Sequence, residues 1–240
     1  MEKYRIKISR SDYAENPFEN WDCEPAVMAK FQRHTSDYSQ GEIQEFIASK
    51  LTGEVILDNK DEFLDIAGVN LDYFEGDEDE LIQEIIEYMD YSDVSSATKI
   101  LELLDLPHLS YTSRGYSQGD WADVLIVATD EFFDRTGCNR EKVEEILEGA
   151  ASLFDNWAWG DVFEFEVQKA VDMVSMTAED FDNKNFENAD MFIEWEHFDS
   201  CSGFYGEDID GVISYSGAPK EAVEEAFYYN NIDKWIKYSK

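Results

Sequence analysis

Apolar residues recur along this chain at two different periods, and the switches between them mark its elements. Tyr4, Ile6 and Ile8 alternate with polar or charged neighbours, the period of a strand with one buried face. Ile43, Phe46, Ile47 and Leu51 fall at helical spacing. They lie between a Ser39-Gln40-Gly41-Glu42 capping-box pattern and Gly53, a glycine placed to end the helix. The clearest periodicity covers 77–90, where Leu81, Ile82, Ile85, Ile86 and Met89 form one apolar face and Glu80, Glu84, Glu87 and Asp90 lie opposite. Asp77, Glu78 and Asp79 put negative charge where a helix N-terminus favours it. Asp93 caps a second helix expected over 94–104.

The strand period returns at His108–Tyr116 and Trp121–Thr129, joined by a Gly119-Asp120 turn. A helix is expected over 141–154, with Val143, Ile146, Leu147, Ala150 and Leu153 inward. After a Gly160-Asp161 turn, Phe163, Phe165 and Val167 alternate with Glu164 and Glu166. Met191–Phe198 and Gly211–Tyr215 read as further strands, and Pro219 opens a short helix reaching Tyr228. Asn16–Cys23 is irregular, with Trp21 reading as buried. Strands and helices mix without regular β-α-β alternation. This predicts an α+β fold: a mixed, largely antiparallel sheet with several amphipathic acidic helices. Two regions are expected, an N-terminal strand with an acidic helical part over 1–106 and an α+β part over 107–240, or the two as one continuous domain.

Charge changes the picture more than composition does. The 240 residues are 43% hydrophobic and 15% aromatic, enough for a packed core and unlike a disordered chain. Yet 55 acidic residues face 19 basic ones, for a net charge of −36. A magnitude of about 2–8 suffices to keep a small domain soluble, and self-repulsion beyond it costs stability. The acidity is uneven: 41–100 holds 17 acids against 3 bases and 151–200 holds 13 against 2, while 1–40 holds 7 against 6. A halophilic coat would be spread evenly, so the pattern favours a shaped anionic surface. Phosphate contacts need Lys and Arg, so direct binding to nucleic acid or to an anionic membrane is not expected. The charged start, MEKYRIKISRSDYAEN, has no apolar core for a signal peptide. The longest apolar run, Val124–Ala128, is too short to span a bilayer. Cys23, Cys138 and Cys201 do not make a disulfide framework. A cytoplasmic protein is expected.

Motifs that carry chemistry are absent or incomplete. His34, His108 and His197 have no second histidine at metal spacing. Asp208-Ile209-Asp210-Gly211 resembles part of a calcium loop, but Gly206 and Gly217 stand where ligands are needed. No phosphate-binding glycine loop or nucleophile elbow occurs. Paired carboxylates are uninformative among 55 acids. No metal, cofactor or catalytic residue is therefore expected. The segment 110–123 is dense in Tyr, Ser, Arg and Trp, the residue types of interaction hot spots. Arg114, Tyr116, Asp120 and Trp121 are its candidate recognition residues, and the same segment reads as a strand pair with Arg114 neutralised by Asp120 or Asp123. The turn Cys201–Gly206, expected to present Phe204 and Tyr205, has the same two readings.

An ordered series of short blocks runs through the chain: Asn20-Trp21-Asp22, then Y-x-x-R-G-Y-S-Q-G-D-W-A over 111–122, Gly160-Asp161-Val162-x-x-Phe165, and Gly203-Phe204-Tyr205-Gly206. The series resembles a family of uncharacterised proteins encoded by phages and mobile elements. That resemblance implies a phage origin and assigns no residue a role. The net charge is similar to that of phage anti-restriction and anti-CRISPR proteins that mimic DNA, a likeness of property and not of motif.

The helix expected over 77–90 places 7 acids on about 21 Å, one per ~3 Å. One DNA strand carries one phosphate per ~3.4 Å. The leading expectation is a counter-defence inhibitor that occupies the nucleic-acid groove of a basic host restriction, CRISPR or other defence enzyme. Glu80, Glu84, Glu87 and Asp90 form its mimicking face, and Asp180, Asp182, Glu187 and Asp190 a second patch. Two other readings are an immunity protein neutralising a basic nuclease toxin encoded beside it, and an enzyme using the segment around Arg114.

Overall fold

In the computed structural model, residues 3–11, 14–32, 37–74, 76–114, 121–172, 194–206, 215, 223–229 and 233–239 are described. For 3–5, 73, 114, 171–172, 223–229 and 233–239 the description is of backbone only. The chain is α+β. It divides into a discontinuous unit, 1–15 with 156–240, and a unit inserted between them, 16–155.

The inserted unit is built on a four-stranded antiparallel sheet of β2 (Ala26–Phe31), β3 (Tyr38–Ser39), β4 (His108–Arg114) and β5 (Trp121–Val127), in the order β3-β2-β5-β4. Helices cover one face: α2 (Gly41–Lys50), α3 (Gly53–Asp58), α4 (Lys60–Ala67), α5 (Glu78–Tyr88) and α6 (Val94–Leu103). There Ala26, Met28, Leu125 and Val127 join Ile43, Ile47, Ile56, Phe63, Ile85 and Ile100 in one buried cluster. The opposite face, with Val27, Ala29, Val124 and Ile126, is also buried. On that side α8 (Val143–Ala158) supplies Phe154, whose ring meets Phe18 and Phe31 at 5.8 and 6.5 Å. Tyr111 Oη donates to Asp155 Oδ1 at 2.9 Å and lies 3.2 Å from the Ala151 carbonyl, tying β4 to α8. Burial, followed by the Asp155 charge, pushes the Tyr111 phenol far above its usual range.

Strands buried on both faces read as continuous apolar runs and lose their alternation. β5 is such a strand and is still marked by Val124, Ile126 and Val127, whereas β2 has only Val27 and gave no strand signal. The short α1 (Pro17–Asn20) starts after Asn16, whose side chain accepts from Phe18 N. α7 (Asp130–Thr136) runs from a Thr129 cap to Gly137, at φ +65°. Trp21, expected inside, is 37% exposed. Two readings of α2 fail as well. Its cap is Gln40, with no side-chain cap bond, because the Gln40 carboxamide is spent on Val27 N and the Phe18 carbonyl. Gly53 does not close α2; it opens α3 after Thr52, which accepts from Val55 N.

The discontinuous unit is a five-stranded antiparallel sheet of β1 (Lys3–Arg10), β6 (Val162–Asp172), β7 (Glu194–Tyr205), β8 (Val223–Tyr229) and β9 (Asp233–Ser239), in the order β7-β6-β1-β9-β8. β1 is central. Ile6 pairs with Val167 on one side and Ile236 on the other, and Ile6, Ile8, Phe165 and Val167 are buried. Gly160 turns the chain into β6 at φ +70°, and Arg10 binds Asp161 at 2.8 Å.

The division at 106/107 expected from sequence is not where the units part. β5 pairs with β2, so a boundary there would cut one sheet in two. Residues 201–205, expected as a tight turn, continue β7. Residues 223–228, expected in a helix, lie in β8. The expected Gly119-Asp120 turn, most of the Gly211–Tyr215 strand and the calcium-like 208–211 lie outside the described residues. Among the described residues, no helix is long and apolar enough to cross a membrane.

A candidate acidic interaction face

The helices α3, α4 and α5 pack on one another, and behind them α4 packs on α6, which meets the sheet. Their apolar residues explain this. Ile56, Phe63, Leu64, Leu81 and Ile85 all turn inward. The polar remainder is left outside, and it is almost purely acidic. Over 51–98 there are 15 acids and a single base, Lys60. Glu54, Asp58, Asp61, Glu62, Asp65, Glu78, Asp79, Glu80 and Glu87 are exposed, and Glu84 is half-buried.

Several cations elsewhere in the described structure are held by other carboxylates. Lys50 and Arg140 both bind Asp130, at 2.5 and 2.9 Å. Arg135 binds Glu42 and Glu131, Lys30 binds Asp93 and Lys142 binds Glu145. The Lys50 bond, then the Arg140 bond, holds the Asp130 carboxyl below its ordinary range, and the Lys30 bond does the same for Asp93. None of the ion pairs among the described residues draws on 51–92. The α3–α5 layer therefore keeps its negative charge uncompensated.

Not every acid there is available. Asp77 Oδ1 accepts from Glu80 N at 3.0 Å and Glu80 Oε2 accepts from Asp77 N at 3.2 Å, a reciprocal cap on α5. Asp90, expected on the helix, lies beyond its end. The Ser92 hydroxyl and N–H both donate to Asp90 Oδ1 at 2.5 and 2.9 Å and hold its carboxyl low. The helix has 11 residues, not 14, and four of its acids crowd the cap and first turn. The even spacing of one charge per ~3 Å is thus not realised on α5 alone. Glu84 and Glu87 remain on the stripe, followed by Tyr88, 62% exposed. The sequence reading missed Glu54, Asp58, Asp61, Glu62 and Asp65 on α3 and α4. Their signal was the low base count of the whole stretch, not any periodicity.

The expected second patch, Asp180, Asp182, Glu187 and Asp190, lies outside the described residues, as do Tyr116 and Asp120. Arg114 ends β4 opposite Trp121, and Trp121 Nε1 donates to Gln32 Oε1. Asp123, one of two expected partners for Arg114, accepts from Thr112 Oγ1 at 3.0 Å. Phe204 and Tyr205 belong to the other unit and are not presented on a turn. Phe204 stacks on Phe165 and Tyr215 at 5.6 and 5.2 Å, and Tyr205 Oη donates to the Glu15 carbonyl at 2.6 Å. Burial raises the Tyr205 phenol.

A polar cleft of ≈ 500 Å³ opens where α6 meets the sheet, lined by Lys30, Asp93, Thr98, Lys99, Ser110 and Asp123 among others. Lys30 is already bound to Asp93, and Lys99, Glu102 and Asp123 give the cleft charge of both signs. Among the described residues no group of three His, Cys, Asp or Glu could hold a metal ion. Comparison of the chain with protein families, with curated proteins and with solved structures gave no match.

Proposed function

We propose that this chain is an anionic inhibitor whose α3–α5 layer occupies the nucleic-acid-binding groove of a basic partner, of the class of bacterial restriction, CRISPR or other defence enzymes. One observation carries the reading: ten acids against one lysine within α3, α4 and α5, on the outside of the three packed helices, with no ion pair to 51–92 among the described residues. A groove that tracks phosphates with Lys and Arg meets a similar field on this layer. The three helices together supply charge that α5 alone spaces too unevenly. The approach is steered electrostatically and weakens as salt rises. A phage or mobile-element origin and action in the host cytoplasm belong to the same proposal.

The experiment is a binding panel of purified restriction and CRISPR complexes, with and without competing duplex DNA. The proposal expects at least one complex that releases this protein when duplex is added. Binding indifferent to duplex across the panel contradicts it.

A further inference from the structure

β7 lies at the edge of its sheet. It pairs with β6 on one side, and no other strand among the described residues pairs with its far side. Glu194 and all of 196–203 are exposed, so neighbours pointing to opposite faces are equally open. An unpaired row of N–H and C=O groups is a template for another strand, and proteins blunt such edges with bulges and charge. Here the blunting is local. Pairing with β6 skips Phe198 and Gly203, the latter at φ +88°, and both are bulges on the β7 side. Between them Asp199–Ser202 run in unbroken register against Val167–Glu164, with small side chains and one charge, Asp199, whose Oδ1 accepts from Ser200 N at 2.9 Å, a bond that an added strand would replace.

A hollow of ≈ 380 Å³ sits on the sheet face beside this stretch. The register places Ser9, Glu164 and Ser202 in one cross-strand row and Lys7, Glu166 and Ser200 in the next. Glu164 and Glu166 are two apart on one strand, so they share a face about 6.8 Å apart. Glu164 accepts from Ser9 Oγ at 3.3 Å and Glu166 from Gln168 Nε2 at 2.7 Å, while Lys7 offsets part of the charge.

We infer that β7 accepts an extended segment of a basic protein as an added strand along Asp199–Ser202, with Lys or Arg at alternate positions reaching over Ser200 and Ser202 to Glu166 and Glu164. The spacings agree. Alternate side chains of an extended segment repeat at about 6.8 Å, the separation of the two glutamates. From the added backbone to β6 is two strand spacings, about 9.6 Å, a gap that a long basic side chain and a glutamate close from opposite ends. Ser200 and Ser202 lie between them, and His197, which also lines the hollow with Nε2 3.2 Å from Ser200 Oγ, gives way to the incoming side chain. Main-chain bonds supply the affinity and the glutamates the selectivity. A second copy of this chain is the wrong occupant, because it would set Asp199 and the glutamates against like charge under a net −36 per chain. Only the sign of the partner's charge rests on the function proposed above; the place and mode of binding do not involve α3–α5.

The test uses the isotope-labelled full chain and a blocked synthetic heptapeptide with lysine at its second, fourth and sixth positions and valine or threonine between. A control peptide of equal charge carries N-methyl groups on alternate backbone amides. The unmodified peptide should slow amide exchange within Asp199–Ser202 and bind about tenfold tighter than the methylated one. The double variant E164Q/E166Q should weaken the unmodified peptide about tenfold, with exchange across β1 and β6 unchanged as the check on folding. Lysines substituted at Glu84 and Glu87 should leave peptide affinity as it was. Equal binding of the two peptides, or peptide-induced changes over 78–88 in place of 199–202, would overturn the inference.

Discussion

Replacing Ile6 by alanine should melt one unit and spare the other. Ile6 is fully buried in β1, the middle strand of its sheet, and is paired on both sides. Removing three carbons there forfeits their transfer free energy and leaves a cavity that neighbours held in two ladders cannot collapse, about 4 kcal/mol in all. That is a large share of the roughly 5–15 kcal/mol that holds a domain together. For a unit of about 100 residues it lowers the melting temperature by roughly 15–30 °C. The inserted unit, 16–155, has its own cluster around Ile43, Phe63, Ile85 and Ile100, and Ile6 is not part of it. The assay is hydrogen exchange read by mass spectrometry, with calorimetry alongside. Peptides within 162–170 and 196–202 should lose protection, while those within 43–47 and 122–128 keep it. Simultaneous loss in both sets would refute the two-unit division and the assignment of the acidic helices to a self-sufficient core.

Asp77→Ala or Glu80→Ala should cost about 1 kcal/mol by breaking the α5 cap, whereas Glu87→Gln should change stability by less than about 0.5 kcal/mol, as read by urea unfolding. Asp130→Asn removes a carboxylate shared by Lys50 and Arg140, all three partly exposed, and should cost about 1 kcal/mol after solvent screening. Because the Asp130 carboxyl titrates below its ordinary value when folded, that contribution is present above about pH 4 and is lost as pH falls through the folded value. Melting curves of the native and D130N chains should therefore converge in acid. Raising NaCl from about 0.01 to 1 M shortens the screening length from about 30 to 3 Å and should raise the melting temperature by damping self-repulsion; a fall would contradict the view that the acidic layer is uncompensated.

The elements legible in sequence are those with a periodic apolar stripe or a run rich in β-branched residues. α5 was expected over 77–90 and spans Glu78–Tyr88, and the strands at His108 and Trp121 end within two residues of their expected bounds. β2 was illegible because Ala26–Phe31 holds a single β-branched residue, Val27, and shows no alternation, whereas Trp121–Val127, equally buried on both sides, holds three. α3 and α4 are only six and eight residues long, too short for a helical period to stand out. The discontinuous unit was unreadable for another reason: β1 meets β6 after more than 150 residues, a pairing that no local pattern announces. For the acidic face, Glu84 and Glu87 could be read from the stripe. Asp90 was misplaced, because a helix period does not reveal where Met89 ends the helix and frees the next carboxylate for Ser92.

The proposed inhibitor acts through the charge of its α3–α5 carboxylates on a basic groove. The most direct measurement is the salt dependence of affinity for a defence complex that duplex DNA displaces, made with the native chain and with one in which Glu54, Asp61, Glu62, Asp65, Glu84 and Glu87 are replaced by their amides. The native affinity should fall by at least about tenfold between 50 and 200 mM salt, and the amide variant should bind weakly with a markedly flatter slope. Equal affinities and equal slopes for the two chains would contradict the account.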